Sequence, residues 1–85
     1  MHRHSVKNSY RRQVFNKQNG ICSMCGKRIH FYDFTVDHII PVSKGGKNTL
    51  DNMEAMCYTC NHMKSDILKT DFLEHISKIY KHNFN

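Results

Sequence analysis

The sequence predicts a small α+β domain that a bound metal ion holds together. The chain has 85 residues, and a domain of this size buries too little apolar surface to be stable without a staple such as a metal. Four cysteines form two C-x-x-C pairs, at Cys22/Cys25 and Cys57/Cys60. Both strand-like and helix-like patterns occur around these pairs. We therefore expect one domain over residues 1–85.

The local patterns predict three helices and two strands. A helix is predicted from Ser9, a favourable N-cap, to about residue 18, where Asn19-Gly20 stops it. β-Branched residues predict a strand over 35–39, and a second strand near 53–57 would pair with it antiparallel across a loop of turn residues. A further helix is expected over about 58–68.

The two ends of the chain have contrasting patterns. Residues 1–8 are polar and predict a flexible basic tail. Residues 70–82 predict an amphipathic helix, because their apolar residues recur with helical spacing. This C-terminal helix is expected to pack on the core as a lid, and the alternative is a helix that binds a partner. The apolar residues that define it are Phe72, Leu73, Ile76, Ile79 and Tyr80.

The charge favours a nucleic acid as partner. The net charge is +6, and residues 1–28 hold seven basic residues and no acid, a distribution that suits phosphates. A merely solubilising charge is the alternative. No transmembrane stretch and no signal peptide are expected, which points to the cytoplasm. The candidate nucleic-acid contacts are Arg11, Arg12, Lys27, Arg28, Lys44, Lys47 and Lys64.

The cysteine spacing predicts a structural zinc site. Four thiolates suit a tetrahedral zinc ion, and a closed shell of four sulfurs leaves no position for substrate. An iron–sulfur cluster, two small disulfide loops or free cysteines are the alternatives, and a reducing compartment argues against the disulfides.

A second set of residues between the pairs points to catalysis. Asp37 and Asn61 offer oxygen ligands of the kind that Mg²⁺ or Mn²⁺ prefers. His38, beside Asp37, is a residue type used as a general base, and Asn52 lies in the middle of the same stretch. Together with Gly45-Gly46 and Lys64, these residues resemble the motif of the HNH endonucleases, over about residues 20–66.

The resemblance implies a ββα-metal, treble-clef-like core with a structural zinc site of four cysteines and flanking N- and C-terminal helices. It implies a metal-dependent DNA endonuclease or nickase that leaves a 5′-phosphate and a 3′-hydroxyl. His38 would be the general base, Asp37 and Asn61 would hold the catalytic ion, and Asn52 would orient His38 and brace the loop. Because the third family position is often histidine, His62 is the alternative to Asn61.

Two other functions remain open at this point. One is a non-catalytic zinc-ribbon module that binds nucleic acid, which would need the cysteines and the basic residues but not the catalytic set. The other is an accessory protein of phage packaging, since the short chain resembles free-standing phage HNH proteins that partner terminases. The joint presence of Asp37, His38, Asn52 and Asn61 favours the enzyme.

Overall fold

A computed structural model describes residues 8–84, so the predicted tail lies outside the described residues except for Asn8. The predicted α+β fold is confirmed. Two 3₁₀ turns lie between the strands, at Val42–Lys44 and Leu50–Asn52. The order of the main elements is α1 (Asn8–Lys17), β1 (Thr35–His38), β2 (Met53–Met56), α2 (Tyr58–Lys64) and α3 (Lys69–Phe84).

The two strands form an antiparallel hairpin, and β2 is the more deeply buried of the two. The register runs from Thr35 opposite Met56 to His38 opposite Met53. All four residues of β2 are buried, so its free edge needs partners other than water. The Gln18 side chain provides them at Ala55, accepting from its N–H at 2.7 Å and donating to its C=O at 3.0 Å. This contact fixes the end of α1 against the hairpin.

The hydrophobic core is small and includes two of the cysteines. Arg11 covers one side of it, with its guanidinium 4.0 Å from the centre of the Phe34 ring. Such a core gives little margin of stability without a staple. The buried hydrophobic residues are Val14, Cys22, Ile29, Phe34, Met53, Ala55, Met56 and Cys57.

α2 is shorter than the sequence predicts. It ends at Lys64 because the next residue, Ser65, takes φ 53° and ψ −130°, a backbone conformation that cannot continue a right-handed helix. α2 packs against β1. The hairpin and α2 together give the ββα arrangement.

The C-terminal helix departs from its expected role as a lid. α3 buries none of its residues fully, and only Phe72 and Ile76 of its apolar side chains are half-buried. Its start is fastened by Lys69, whose ammonium lies 3.0 Å from Glu54 Oε1 and donates to Ser23 O. Among residues 8–84, no helix is long and apolar enough to cross a bilayer.

Candidate active site

The four cysteines converge on one point. Their Sγ atoms all lie within 4.8 Å of one another, and Cys25 and Cys57 are 4.0 Å apart. In a tetrahedral zinc site with Zn–S bonds of about 2.3 Å, the sulfurs are about 3.8 Å apart. All four thiols are free of disulfides. The cluster therefore suits zinc, as the spacing predicts.

Backbone amides prepare the cluster for a cation. The N–H groups of Met24, Cys25 and Cys57 point at Cys22 Sγ at 3.4–3.5 Å. Burial alone would raise the pKa of Cys22, but the backbone N–H groups of Cys25, Cys57 and Met24 outweigh it and lower the pKa to about 6. Burial, followed by the neighbouring Cys57 and Cys25 thiols, raises the pKa of Cys60. The Cys22 thiol therefore loses its proton more easily than an ordinary cysteine and the Cys60 thiol less easily. A metal ion that binds the four sulfurs would replace the protons that remain.

His38 ends β1 and holds a hydrogen bond that the sequence did not reveal. Its Nε2 donates to Asn48 Oδ1 at 2.6 Å, because an amide oxygen can only accept. In the neutral ring, Nδ1 then keeps its lone pair and is free to accept a proton. Asn48 lies ten residues away in a loop of turn residues, and no motif spacing marks it.

Asn52 is the brace of the loop that follows β1. Its Oδ1 accepts from Ile40 N at 2.9 Å, and its Nδ2 donates to Ile40 O at 3.1 Å and Lys47 O at 2.8 Å. Its own C=O accepts from Ile39 N. The side-chain hydrogen bond of His38 runs to Asn48 instead. Asn52 thus braces the adjoining loop without a hydrogen bond to the His38 ring, and its role in orienting His38 stays a prediction.

Asp37 is paired with a lysine inside the protein. Asp37 Oδ2 lies 2.8 Å from Lys64 Nζ, and the two side chains are 14% and 1% exposed. The contact lacks hydrogen-bond geometry, so both atoms are without a hydrogen-bond partner among the described residues. The expectation that Lys64 contacts a DNA phosphate does not fit this burial.

Asn61 lies on the same side of β1 as Asp37. Its Nδ2 donates to Thr35 Oγ1 at 2.6 Å, and Thr35 and Asp37 share a face of the strand because strand side chains alternate. The amide nitrogen is used in this contact, so Oδ1 is the free end of the side chain. His62, in contrast, is exposed.

Asp37 and His38 open into one cleft of about 370 Å³. The cleft unites the end of β1, the loop that Asn52 braces and the segment after α2. It brings in Asp66, Ser43 and Ser65, to which the sequence assigns no role. The residues that line it are Asp37, His38, Pro41, Val42, Ser43, Ser65 and Asp66.

This constellation can be compared with known proteins. The family model described as HNH endonuclease matches residues 22–66, more than half of the chain. The chain belongs to the HNH endonuclease family. The match spans the zinc-type cluster, the cleft residues and α2, so the predicted family is confirmed.

Two curated relatives are named as an endonuclease and as a restriction enzyme. The chain is 38% identical over 58 residues to the CRISPR-associated endonuclease Cas9 of Corynebacterium diphtheriae, a match that covers 67% of this chain and 5% of that protein. It is 39% identical over 54 residues to the Type IV methyl-directed restriction enzyme EcoKMcrA of Escherichia coli, covering 56% and 20%. The chain thus spans a twentieth to a fifth of these relatives.

A solved structure resembles the fold as well. The Type II-C Cas9 enzyme from Actinomyces naeslundii superposes with a TM-score of 0.70 and 26% sequence identity, over 84% of this chain and 8% of that chain. Family and fold therefore agree, and together they support nucleic-acid endonuclease activity for this HNH domain.

The basic residues of the HNH domain divide into two groups. Arg11 donates to Phe34 O at 3.2 Å and to Phe31 O at 3.1 Å, so its guanidinium serves the fold. These contacts use two of the five N–H donors of the guanidinium, so the assignment of Arg11 as a phosphate contact stays a prediction. The candidates that stay exposed are Arg12, Lys27, Arg28, Lys44 and Lys47.

Gly46→Ala should disrupt the loop beside the cleft. A Cβ at Gly46 would overlap Ile40 O and lie 2.9 Å from Asn52 Nδ2, so the brace and the added methyl cannot share the space. We expect a loss of about 3 kcal/mol, or more than about 12 °C in melting temperature for a domain of this size. Gly45→Ala is the control, since Gly45 has φ +91° but open space, and backbone strain alone should cost about 1–2 kcal/mol. Equal melting temperatures for the two variants would contradict the overlap.

Proposed function

We propose that this HNH domain is a metal-dependent endonuclease or nickase that hydrolyses phosphodiester bonds in DNA. The observation that carries the proposal is the shared cleft, in which a histidine with a free ring nitrogen stands beside a carboxylate. Phosphodiester hydrolysis needs a base for the attacking water and positive charge near the phosphate oxygens. His38 and Asp37 are suited to these two tasks.

His38 acts as the general base. Asn48 holds Nε2, and the lone pair on Nδ1 accepts the proton of a water molecule that attacks the phosphorus. The braced loop keeps Pro41 and Val42 in the lining of the same cleft, which limits the positions open to the scissile phosphate. Substrate orientation of this kind contributes to catalysis alongside proton transfer.

Asp37 and Asn61 are the proposed ligands of a divalent cation, Mg²⁺ or Mn²⁺. The donor set fits, because Asp37 Oδ2 is a buried carboxylate oxygen with no hydrogen-bond partner among the described residues and faces a positive charge. Thr35 uses the amide nitrogen of Asn61 and leaves its oxygen free. Hard oxygen donors of this kind suit these ions. When bound, the ion supplies positive charge to the phosphate oxygens in the transition state.

DNA is the proposed substrate, and the exposed basic residues are its proposed contacts. Arg12, Lys27, Arg28, Lys44 and Lys47 are exposed, and the chain carries a net charge of +6. Contacts of this type make affinity fall steeply with salt. A phage terminase partner stays a prediction from sequence alone, since the relatives named above are a CRISPR-associated endonuclease and a restriction enzyme.

A plasmid assay tests the proposal and the choice of ligand together. Zinc-loaded protein should convert supercoiled plasmid to nicked circles only when Mg²⁺ or Mn²⁺ is added. Asn61→Ala should raise the metal concentration needed for half-maximal nicking by at least about tenfold. His62→Ala is the matched control from the next position of the same helix and should change it little.

Two results would count against the proposal. Exchanged effects of the two substitutions would make His62 the ligand. DNA binding without metal-dependent nicking would favour the non-catalytic zinc-ribbon module.

A further inference from the structure

Lys64 is the buried lysine at the end of α2, and its charge lies beside Asp37. We propose that Lys64 occupies the cation position beside Asp37 in the metal-free protein, and that a divalent cation must displace it to bind. The inference rests on the proposed function, because it takes Asp37 as a ligand of the catalytic metal. Lys64 is therefore a positioning residue that sets how tightly the domain binds its metal.

Burial makes Lys64 costly in its present position. Its side chain is 1% exposed, and its one charge partner among the described residues is Asp37. An ammonium has three donors, and here none of them makes a hydrogen bond within the described chain. A buried ion pair of this quality recovers little of the desolvation cost. Lys64 thus faces the carboxylate at 2.8 Å while its ammonium has donors that no group of the described chain uses.

The register of α2 on β1 places the two cations in competition. Asn61 and Lys64 are three residues apart on α2 and lie on one side of it, where Asn61 bonds Thr35 and Lys64 pairs with Asp37. An ion held by Asp37 and Asn61 would approach the carboxylate oxygen that Lys64 faces. The single charge of the Lys64 ammonium and the double charge of the metal ion repel each other strongly in a half-buried site. The two cations therefore cannot both contact Asp37.

The end of α2 provides a way out for the ammonium. Lys64 is the last residue of the helix, and the following Ser65 has a positive φ of 53°. Ser65 and Asp66 line the cleft directly after it. Rotation about the side-chain torsions of a displaced Lys64 would turn the ammonium towards this cleft, where water can solvate it.

Calorimetric titration of Mn²⁺ into zinc-loaded protein tests the competition. Lys64→Met keeps the apolar stem of the side chain but removes its charge, and it should bind Mn²⁺ about tenfold more tightly than the wild type. Lys78→Met is the control, since Lys78 is an exposed lysine of α3, and it should bind as the wild type does. Binding by folded Lys64→Met that is unchanged or weaker would overturn the proposal.

Asp37→Asn separates this inference from the proposed function. If the wild type binds Mn²⁺ and Asp37→Asn does not, the metal site stands, and the affinity of Lys64→Met decides the competition. If neither the wild type nor Lys64→Met shows binding that depends on Asp37, the metal site and the competition both fail. Binding by Lys64→Met where the wild type shows none would support the competition in its strongest form.

A measurement on the unaltered chain covers the case in which Lys64→Met does not fold. The ammonium protons of a buried lysine exchange slowly enough with water for nuclear magnetic resonance to detect them. The Lys64 signal should be present without Mg²⁺ and should be lost or shifted as Mg²⁺ is added. A Lys64 signal that stays unchanged while other cleft residues respond to Mg²⁺ would overturn the displacement.

Discussion

His38→Ala should lower the rate of plasmid nicking by about three orders of magnitude, within the range of general-base catalysis. The imidazole ends β1 at the cleft, and its side-chain hydrogen bond is to the exposed Asn48. Removing the ring therefore leaves the hairpin pairing and the cysteine cluster untouched. Zinc content, melting temperature and DNA affinity should stay close to those of the wild type, while single-turnover nicking is lost.

His30→Ala is the matched control for this loss. His30 is exposed, whereas His38 is half-buried. His30 lies at the turn before β1 and is not among the residues of the cleft. The His30→Ala variant should nick plasmid at the rate of the wild type. Asn48→Ala should fall between the two, with a loss of about tenfold, because the ring keeps its basic nitrogen but loses the contact that fixes its orientation. Nicking by His38→Ala within a few-fold of the wild type would remove His38 as the base.

The sequence predicts those parts of the fold and site that depend on local chemistry. Metal-ligand spacing predicts the cysteine cluster, because each C-x-x-C turn already directs two sulfurs to one point. β-Branched residues and the turn-rich loop predict the hairpin. The amphipathic period predicts α3 but not its packing, since periodicity marks an apolar face without naming what covers it.

Long-range contacts explain what the sequence could not show. Arg11 resembles a phosphate-binding residue in the sequence, but in the fold it also donates to the carbonyls of Phe31 and Phe34, twenty or more residues away. Lys64 resembles a surface lysine because lysine is rarely buried. Its burial depends on the register of α2 over Asp37, which exists only in the folded chain. The contacts of both residues are with groups that are distant in the sequence and meet only in the folded chain.

Removing zinc from the purified domain should unfold it, with loss of its helical circular dichroism and of nicking. Among the described residues, the buried hydrophobic core has eight members, and two of them are cysteines of the cluster. Metal binding in small domains of this kind provides much of the folding free energy, about 10–16 kcal/mol in zinc-finger peptides. Adding zinc back should restore the spectrum, whereas adding Mg²⁺ should not. An unchanged spectrum and melting temperature in zinc-free protein would contradict this role.

Cys25→Ser separates ligation of the metal from packing of the core. Cys22 and Cys57 are buried, so replacing either would also disturb the core, whereas Cys25 is exposed. Its loss should remove one sulfur ligand and lower stability by at least about 3 kcal/mol, or more than about 12 °C in melting temperature. Ser23→Ala, between the two cysteines, removes a buried hydroxyl that has no hydrogen-bond partner among the described residues and should cost almost nothing. If Cys25→Ser loses this stability and Ser23→Ala does not, the hairpin depends on the metal rather than on the core. The cleft at the end of β1 then depends on the metal as well.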